Sequence, residues 1–582
     1  MSFKDPIYKP KFDDSASIEH VEVTGSSSTS DLVSNPELLA QAYAEHDGTG
    51  LRAVFANKTV FMAAVLAAFG GLTFGYDQGV ISVTLVMDHF LKTIPEIAEG
   101  HPGAGFNKGL LTAILEFGAM LGACGTGLIA DRYSRKRALL IGSLWFFTGS
   151  VIQTATYSYP QLVVGRLLGG IGIGLLSCTA PLYISEVSPP SVRGALLVCE
   201  ELMIVFGVIV AFWLTFGTRH LDSSLSWRLP FGIQIVPALI LFIGVFFLPN
   251  SPRWLAMRGR DAECLTTLAR LRNLPEDDYR VQAEYLTIVA DVRLNQETAA
   301  TRHPKLFLGS GLWNSLKLEA AGWGDAFGKR CIKRTHVGLG TTFFQQFIGI
   351  NALIYYSPTL FGSLGLSTST SLLMSGIMNT LQLVGCLPTT LLLDRVGRRT
   401  LMLWGSAICL ITHAITAILI GVYSDSWDTH VAAGWAGVSL IFVFMLVFGG
   451  TWGPIGWALP AEIFPSSVRA KGVAVSVAGL WFSNFLVGLI TPPLNDAAPW
   501  GAFAFYAVFT FLSLVWTFFF VPETAGRSLE EMDAVFKDST RSLEEMDAVF
   551  KDSTAHEDNV RRQHILDEML GKRTPTSSSA TM

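Results

Sequence analysis

"PLYISEVSPPSVRG", residues 181–194, returns far down the chain as "PAEIFPSSVRAKG", residues 460–472. In each copy a glutamate precedes an arginine by seven positions, Glu186 with Arg193 and Glu462 with Arg469, and proline stands nearby. A second pair of echoes flanks the first: "DRYSRKR" at 131–137 and "DRVGRR" at 394–399, whose starts lie 263 positions apart. Arginine-rich loops are ordinary on one face of a membrane protein. Matched acids, spacing and prolines are not explained by that rule, and they point to one architecture written twice.

Apolar runs fill the space between the echoes. The 582 residues are 50% hydrophobic and only 15% charged, well below the roughly 25% charged residues of soluble domains. A hydrocarbon layer ~30 Å thick needs about 20 apolar residues per helix. Twelve runs qualify, near 60–86, 108–130, 137–157, 160–184, 195–217, 229–248, 336–361, 370–393, 400–422, 432–459, 471–493 and 499–521. The expected fold is therefore all-α, with twelve transmembrane helices in two six-helix halves. The expected divisions are a disordered tail (1–58), a first half (59–248), a helical linker (249–335), a second half (336–521) and a C-terminal tail (522–582).

Lys and Arg concentrate in the echoed loops, which places those loops, the linker and both termini in the cytosol. That topology sets aside the sequon "NKT" at Asn57. The polar first 50 residues contain no signal-peptide pattern. The seven cysteines lie mostly inside spans without paired or metal-ligand spacing and read as packing residues. No metal site, cofactor or nucleic-acid partner is expected. "GRLLGGIGIG" (165–174) resembles a dinucleotide loop only in letters, because it lies inside a span with no strand before it.

Polar residues inside spans carry the functional reading. In "AAFGGLTFGYDQGVIS" (67–82), Gly71, Gly75 and Gly79 form a small-residue stripe for close helix contact. Asp77 is turned away from that stripe. An intramembrane acid is a functional residue by default. Counting inward at ~1.5 Å per residue puts Arg166 of span four at the depth of Asp77, so the two are expected to pair as a proton-coupling site. Span seven, "FFQQFIGINALIYYSP", offers Gln345, Gln346, Asn351 and Tyr355. These amides and this phenol both donate and accept, which suits a neutral polar ligand. Gly349 and Pro358 weaken the helix around them, as transporter sites require.

"GRLLGGIGIGLLS" (165–177), "PNSPRWL" (249–255), "QQFIGINALIYYSP" (345–358), "GPIGWALPAEIFPSSVR" (453–469) and "VPETAGRSLEEMD" (521–533) together resemble the sugar porter family of the major facilitator superfamily. The closest resemblance is to its fungal proton-coupled, high-affinity monosaccharide transporters. Asn250, Ala525 and Ser134 depart from the family's usual Glu, Lys and Gly. The resemblance implies the major facilitator fold and an Asp–Arg proton site at Asp77 and Arg166. It also implies sugar contacts or pocket lining at Asn379, Trp457, Trp481 and Asn484.

Glu201 matches a family position that is usually a sugar-contacting Gln. Inside "RGALLVCEELMIVFGVIVAFWLTFG" (193–217), Glu200 and Glu201 stand side by side. Three readings stay open: Glu201 as sugar ligand, as a second titrating group, or one of the two as a structural acid packed against Glu116 or a base. The loop clusters Asp131, Arg132, Arg135, Glu186 and Arg193, and Asp394, Arg395, Arg398, Glu462 and Arg469, are expected to form a cytosolic gate bridging the halves. "RSLEEMDAVFKDST" occurs twice, at 527–540 and 541–554, and is given no function.

The expected activity is uptake of a monosaccharide, glucose or another hexose, together with protons, by a plasma-membrane protein surrounded by lipid and functional as a monomer. A uniporter or a non-transporting sugar sensor shares the fold. No enzyme chemistry is expected.

Overall fold

In the computed structural model, which describes residues 32–33, 36–47, 57–190, 192–307, 311–329, 331–465, 467–524 and 554–570, every regular element among the described residues is a helix. Both copies of the repeated tail segment lie outside the described residues, save Thr554.

The first half contains α2 (Lys58–Thr84), α3 (Ala104–Tyr133), α4 (Arg135–Thr154), α5 (Tyr159–Val187), α6 (Arg193–Thr218) and a sixth span broken into α7 (Leu225–Ile233) and α8 (Ile235–Gly244). The second half follows α9 (Asp261–Arg272), α10 (Tyr279–Arg302) and α11 (Leu312–Ala326). It opens with a broken span, α12 (Ile332–Phe347) and α13 (Ile350–Gly362), followed by α14 (Thr368–Val396) and α15 (Arg398–Tyr423). A second broken span, α16 (Val431–Gly450) with α17 (Trp452–Ile463), leads to α18 (Arg469–Ala497) and α19 (Gly501–Phe520).

Among the described residues, eleven helices or helix pairs are long and apolar enough to cross a membrane. The twelfth expected span is α4, which begins Arg-Lys-Arg and carries Gly, Ser, Thr and Gln along its length. Its 20 residues rise about 30 Å, enough to span while packed against α5.

Small residues bring the helices together. The stripe Gly71, Gly75 and Gly79 lies on α6, where a Cβ at Gly75 would collide with the Ile204 carbonyl. The glycines of "GRLLGGIGIG" serve two neighbours: Gly165, Gly169 and Gly172 face α4, whereas Gly170 and Gly174 face α3. The two halves meet along α3 with α18, α6 with α14, and α2 with α13.

Asn57, the residue of the set-aside sequon, caps α2. Its side-chain oxygen accepts from the N–H groups of Thr59 and Val60, both at 3.1 Å.

The disordered tail expected over 1–58 needs correction, because residues Pro36–Asp47 form a helix, α1. Leu39 and Tyr43, four apart, share a face and bury against Ala283, Leu286, Ala290 and Leu294 of α10. A final helix, α20 (Thr554–Met569), adds Ile565 and Leu566 to the same core. The linker thus packs against α1 and α20, at the end of the molecule that carries the echoed basic loops.

Candidate functional site

Asp77 on α2 and Arg166 on α5 are both 0% exposed and form an ion pair at 3.6 Å. That distance is too long for a hydrogen bond. Neither Asp77 oxygen has a hydrogen-bond partner, nor do Nε and Nη1 of Arg166, whose Nη2 reaches the Thr112 carbonyl at 3.4 Å. A buried pair this loose is a poor stabilising device, since desolvation of both charges is only partly offset. The glycine stripe explains the placement: it takes one face of α2 onto α6 and leaves Asp77 to the interior.

Next to Asp77, Gln78 begins a polar chain that crosses between the halves. Its Nε2 donates to the Tyr355 hydroxyl at 2.9 Å and to Asn351 Oδ1 at 3.4 Å. Asn351 Nδ2 donates to Gln346 Oε1 at 2.5 Å, and Gln346 Nε2 lies 3.5 Å from Gln345 Oε1. Asn484 Nδ2 of α18 donates to the Tyr355 hydroxyl at 3.2 Å. Tyr355 itself donates to Glu116 Oε1 of α3 at 2.5 Å.

Five of the expected site residues (Gln345, Gln346, Asn351, Tyr355 and Asn484) therefore stand in one buried network. Two that were not expected there belong to it as well: Gln78, which follows Asp77 on α2, and Glu116, which lies within electrostatic range of Asp77 and Arg166. The signals for both were in the sequence: an amide beside the acid in span one, and a lone acid inside span two.

The helix break that groups the amides lies at Gly349, whose φ of 101° separates α12 from α13 and whose α face rests on the Tyr506 ring. Gln345 spends its N–H donors on the carbonyls of Trp452 (3.2 Å) and Gly453 (2.8 Å), where α17 begins. In this conformer it braces the second broken helix.

The remaining candidates are spread around the network. Asn379 on α14 is buried with both amide atoms unpartnered. Trp481 is fully buried, donates to Ser177 Oγ at 3.2 Å and meets Phe74 edge-on at 4.8 Å. It acts as an inter-half strut, with Trp457 packed against the same cluster.

The paired glutamates diverge. Glu200 is 6% exposed, and its side chain lies against Gly71 of its own half. Glu201 crosses the interface, with its carboxylate beside Gly453 of the other half. Neither packs on Glu116, whose bond goes to Tyr355.

The clusters expected to bridge the halves when the inner side is closed carry, among the described residues, ion pairs within each half. Arg135 pairs with Glu186 (2.8 Å) and Asp131 (3.1 Å) inside the first half, and Arg398 pairs with Glu462 (2.9 Å) inside the second. The reason is local: each arginine starts one helix next to the end of another. Each glutamate also accepts a hydroxyl from the motif that closes its half, Ser251 at 2.5 Å and Thr524 at 2.8 Å. Arg132 offers its carbonyl to Arg258. Arg193 and Arg469 both lie within electrostatic range of Asp291 on α10, and the side chains of Asp394 and Arg395 lie outside the described residues.

The departures at Ser134 and Asn250 belong together. In the second half, Glu523 accepts the Arg398 N–H at 2.8 Å and so caps α15 from outside, over Gly397. In the first half, Asn250 stands at the position of Glu523, and Ser134 at that of Gly397. Ser134 caps α4 itself, accepting the Arg137 N–H at 3.2 Å.

A family model described as Sugar (and other) transporter matches residues 63–536. The MFS glucose transporter mfs1 of Aspergillus flavus is 31% identical over 82% of this chain and 89% of its own length. A probable quinate permease of Aspergillus niger is 31% identical over 88% of this chain and 94% of its own. Among solved structures, the proton:xylose symporter XylE bound to 6-bromo-6-deoxy-D-glucose is 26% identical, with a TM-score of 0.64 over 82% of this chain and 98% of that one. A partially occluded inward-open form of XylE from E. coli superposes with a TM-score of 0.65 at 24% identity, over 81% of this chain and 100% of that one. Spans, repeats, network and likenesses agree: the chain belongs to the sugar transporter family of the major facilitator superfamily and is a multi-pass membrane transporter, not an enzyme.

Proposed function

We propose that this transporter carries a monosaccharide, with hexose the favoured class, together with a proton, by alternating access of a site between its halves. The observation that carries the reading is the loose, fully buried Asp77–Arg166 pair, whose chain neighbour Gln78 bonds into a network of neutral amides and one tyrosine. A uniporter has no need of a desolvated, underbonded charge pair; a symporter does, because a proton taken up by the charged group around this pair shifts the balance of conformers. Gln345, Gln346, Asn351, Tyr355, Asn379, Asn484, Trp457, Trp481 and Glu201 are the proposed sugar-site residues. The basic loops, linker and termini are assigned to the cytosol and the protein to the plasma membrane, as a monomer.

The likeness to a probable quinate permease makes a polyhydroxy carboxylate the second candidate. Glu201 opposes it, because a carboxylate near the site repels an anion.

The test is uptake in a transporter-null cell across hexoses, xylose and quinate, with and without a protonophore. The expected result is hexose accumulation above equilibrium that the protonophore abolishes. Asp77→Asn should lose accumulation yet keep sugar exchange. Accumulation untouched by the protonophore or by Asp77→Asn would refute symport.

A further inference from the structure

Among the described residues, Glu116 is the one carboxylate bonded to the amide and tyrosine network, and the Tyr355 hydroxyl shows what that bond does. A phenol has one proton to give and two lone pairs to accept with. Tyr355 gives its proton to Glu116 at 2.5 Å and accepts from Gln78 at 2.9 Å and Asn484 at 3.2 Å. Its capacity is full. A sugar hydroxyl gains nothing from it until one of these three bonds is released.

Glu116 is also tied to the charge pair. It is 0% exposed, and its Oε2 has no partner. It stands one helical turn beyond Thr112, whose carbonyl takes Arg166 Nη2, and lies within electrostatic range of both Arg166 and Asp77. The ionisable groups facing it are Arg166 from α5, Asp77 from α2, and Tyr355 and Tyr356 from α13. At this level α18 presents only the neutral Asn484, its Lys471 and Asp496 lying beside Gly127 and Gly105 at opposite ends of α3. Two carboxylates thus share one guanidinium in a dry site. With both ionised the group carries a net negative charge; a single proton makes it neutral, the state that low dielectric favours.

We propose that Glu116 couples the proton site to the sugar site by holding Tyr355 while ionised and releasing it on taking a proton. The proton, delivered from water on the uptake side, forms an O–H bond at Glu116 Oε2. The charge-assisted bond from Tyr355 then weakens to a neutral one, and the phenol proton turns to a sugar oxygen. Loss of the same proton to water on the other side restores the Tyr355–Glu116 bond and expels the sugar. Glu116 acts through Tyr355 and is a positioning residue.

This inference rests on the symport reading, and the test separates the two. Half-saturation for the transported sugar is measured across external pH in full-length wild type, Glu116→Gln and Tyr355→Phe, beside gradient-driven accumulation. Gln keeps an acceptor for Tyr355 but cannot titrate. In wild type, affinity should fall about threefold to tenfold from acid to neutral pH, the effect of one neutral hydrogen bond. Both variants should flatten that slope and lose accumulation. A Glu116→Gln protein with the wild-type slope overturns the inference while symport stands. If that variant fails to reach the membrane, a wild-type slope in Tyr355→Phe overturns it equally. A wild type with neither slope nor accumulation overturns both.

Discussion

Glu200 and Glu201 answer to different neighbours because adjacent residues on a helix point ~100° apart. Glu201 reaches Gly453 across the interface, whereas Glu200 stays against Gly71 within its own half. Glu201→Gln should therefore weaken sugar affinity about tenfold, as loss of a charged hydrogen bond does. Glu200→Gln should leave affinity alone and alter only thermal stability. Half-saturation of uptake checks both, and equal effects would remove Glu201 from the sugar site. The pairing of Asp77 with Arg166 was legible from depth alone, because helical rise is fixed. The bond from Tyr355 to Glu116 was not, since the partners lie 239 positions apart and nothing in local spacing sets which side chains meet across a helix interface.

At the scale of the helix, the two halves solve one capping problem twice. Gly397 (φ 95°) and Ser134 (φ 120°) hold the same turn, a conformation nearly reserved for glycine that costs a side-chain-bearing residue of order 1–3 kcal/mol. Ser134 accepts that cost and contributes its own cap to α4. Replacing an N-cap serine by glycine loses only a few tenths of a kcal/mol, and by alanine ~1 kcal/mol. Ser134→Gly should accordingly raise the melting temperature by a few degrees and Ser134→Ala should lower it. A thermal melt in detergent decides, and the opposite order would mean the backbone strain at Ser134 is relieved by something other than its cap. The break at Gly349 was visible in the sequence, because glycine beside amides in a span has few other uses. The break between α16 and α17 was not: it falls at Thr451, with φ −132° and ψ −84°, and is secured by Gln345 from another helix.

Across the whole molecule, the linker and α20 tie the loop ends of the two halves together. Arg272 of α9 donates to the carbonyls of Val187 (2.7 Å) and Ser188 (3.2 Å) at the end of α5, where a cation also meets the negative end of the helix dipole. In the second half, Asp558 of α20 accepts the Ser467 N–H at 3.2 Å, and Arg562 binds Asp291 of α10 at 2.6 Å. The polar composition of residues 1–50 hid the part that α1 plays here, because one face of Leu39 and Tyr43 is too short a pattern to outweigh its surroundings. Glu284 is the keystone of the assembly, gripped by Arg272 at 2.6 and 2.8 Å and by the Tyr43 hydroxyl at 2.8 Å. Burial alone would push its carboxyl up, but the Arg272 charge and these hydrogen bonds outweigh burial and hold it below the ordinary carboxylate range. Its contribution to stability is therefore full above the ordinary value and is lost as pH falls through the lowered one. Glu284→Gln leaves Arg272 buried without its counter-charge, a loss of about 3 kcal/mol at neutral pH. It should loosen α1 and α10 without touching the sugar site. Limited proteolysis of the linker across pH measures this: the variant should be cut faster at neutral pH and match wild type in strong acid, whereas a gap that persists in acid would mean the glutamate acts by shape rather than charge.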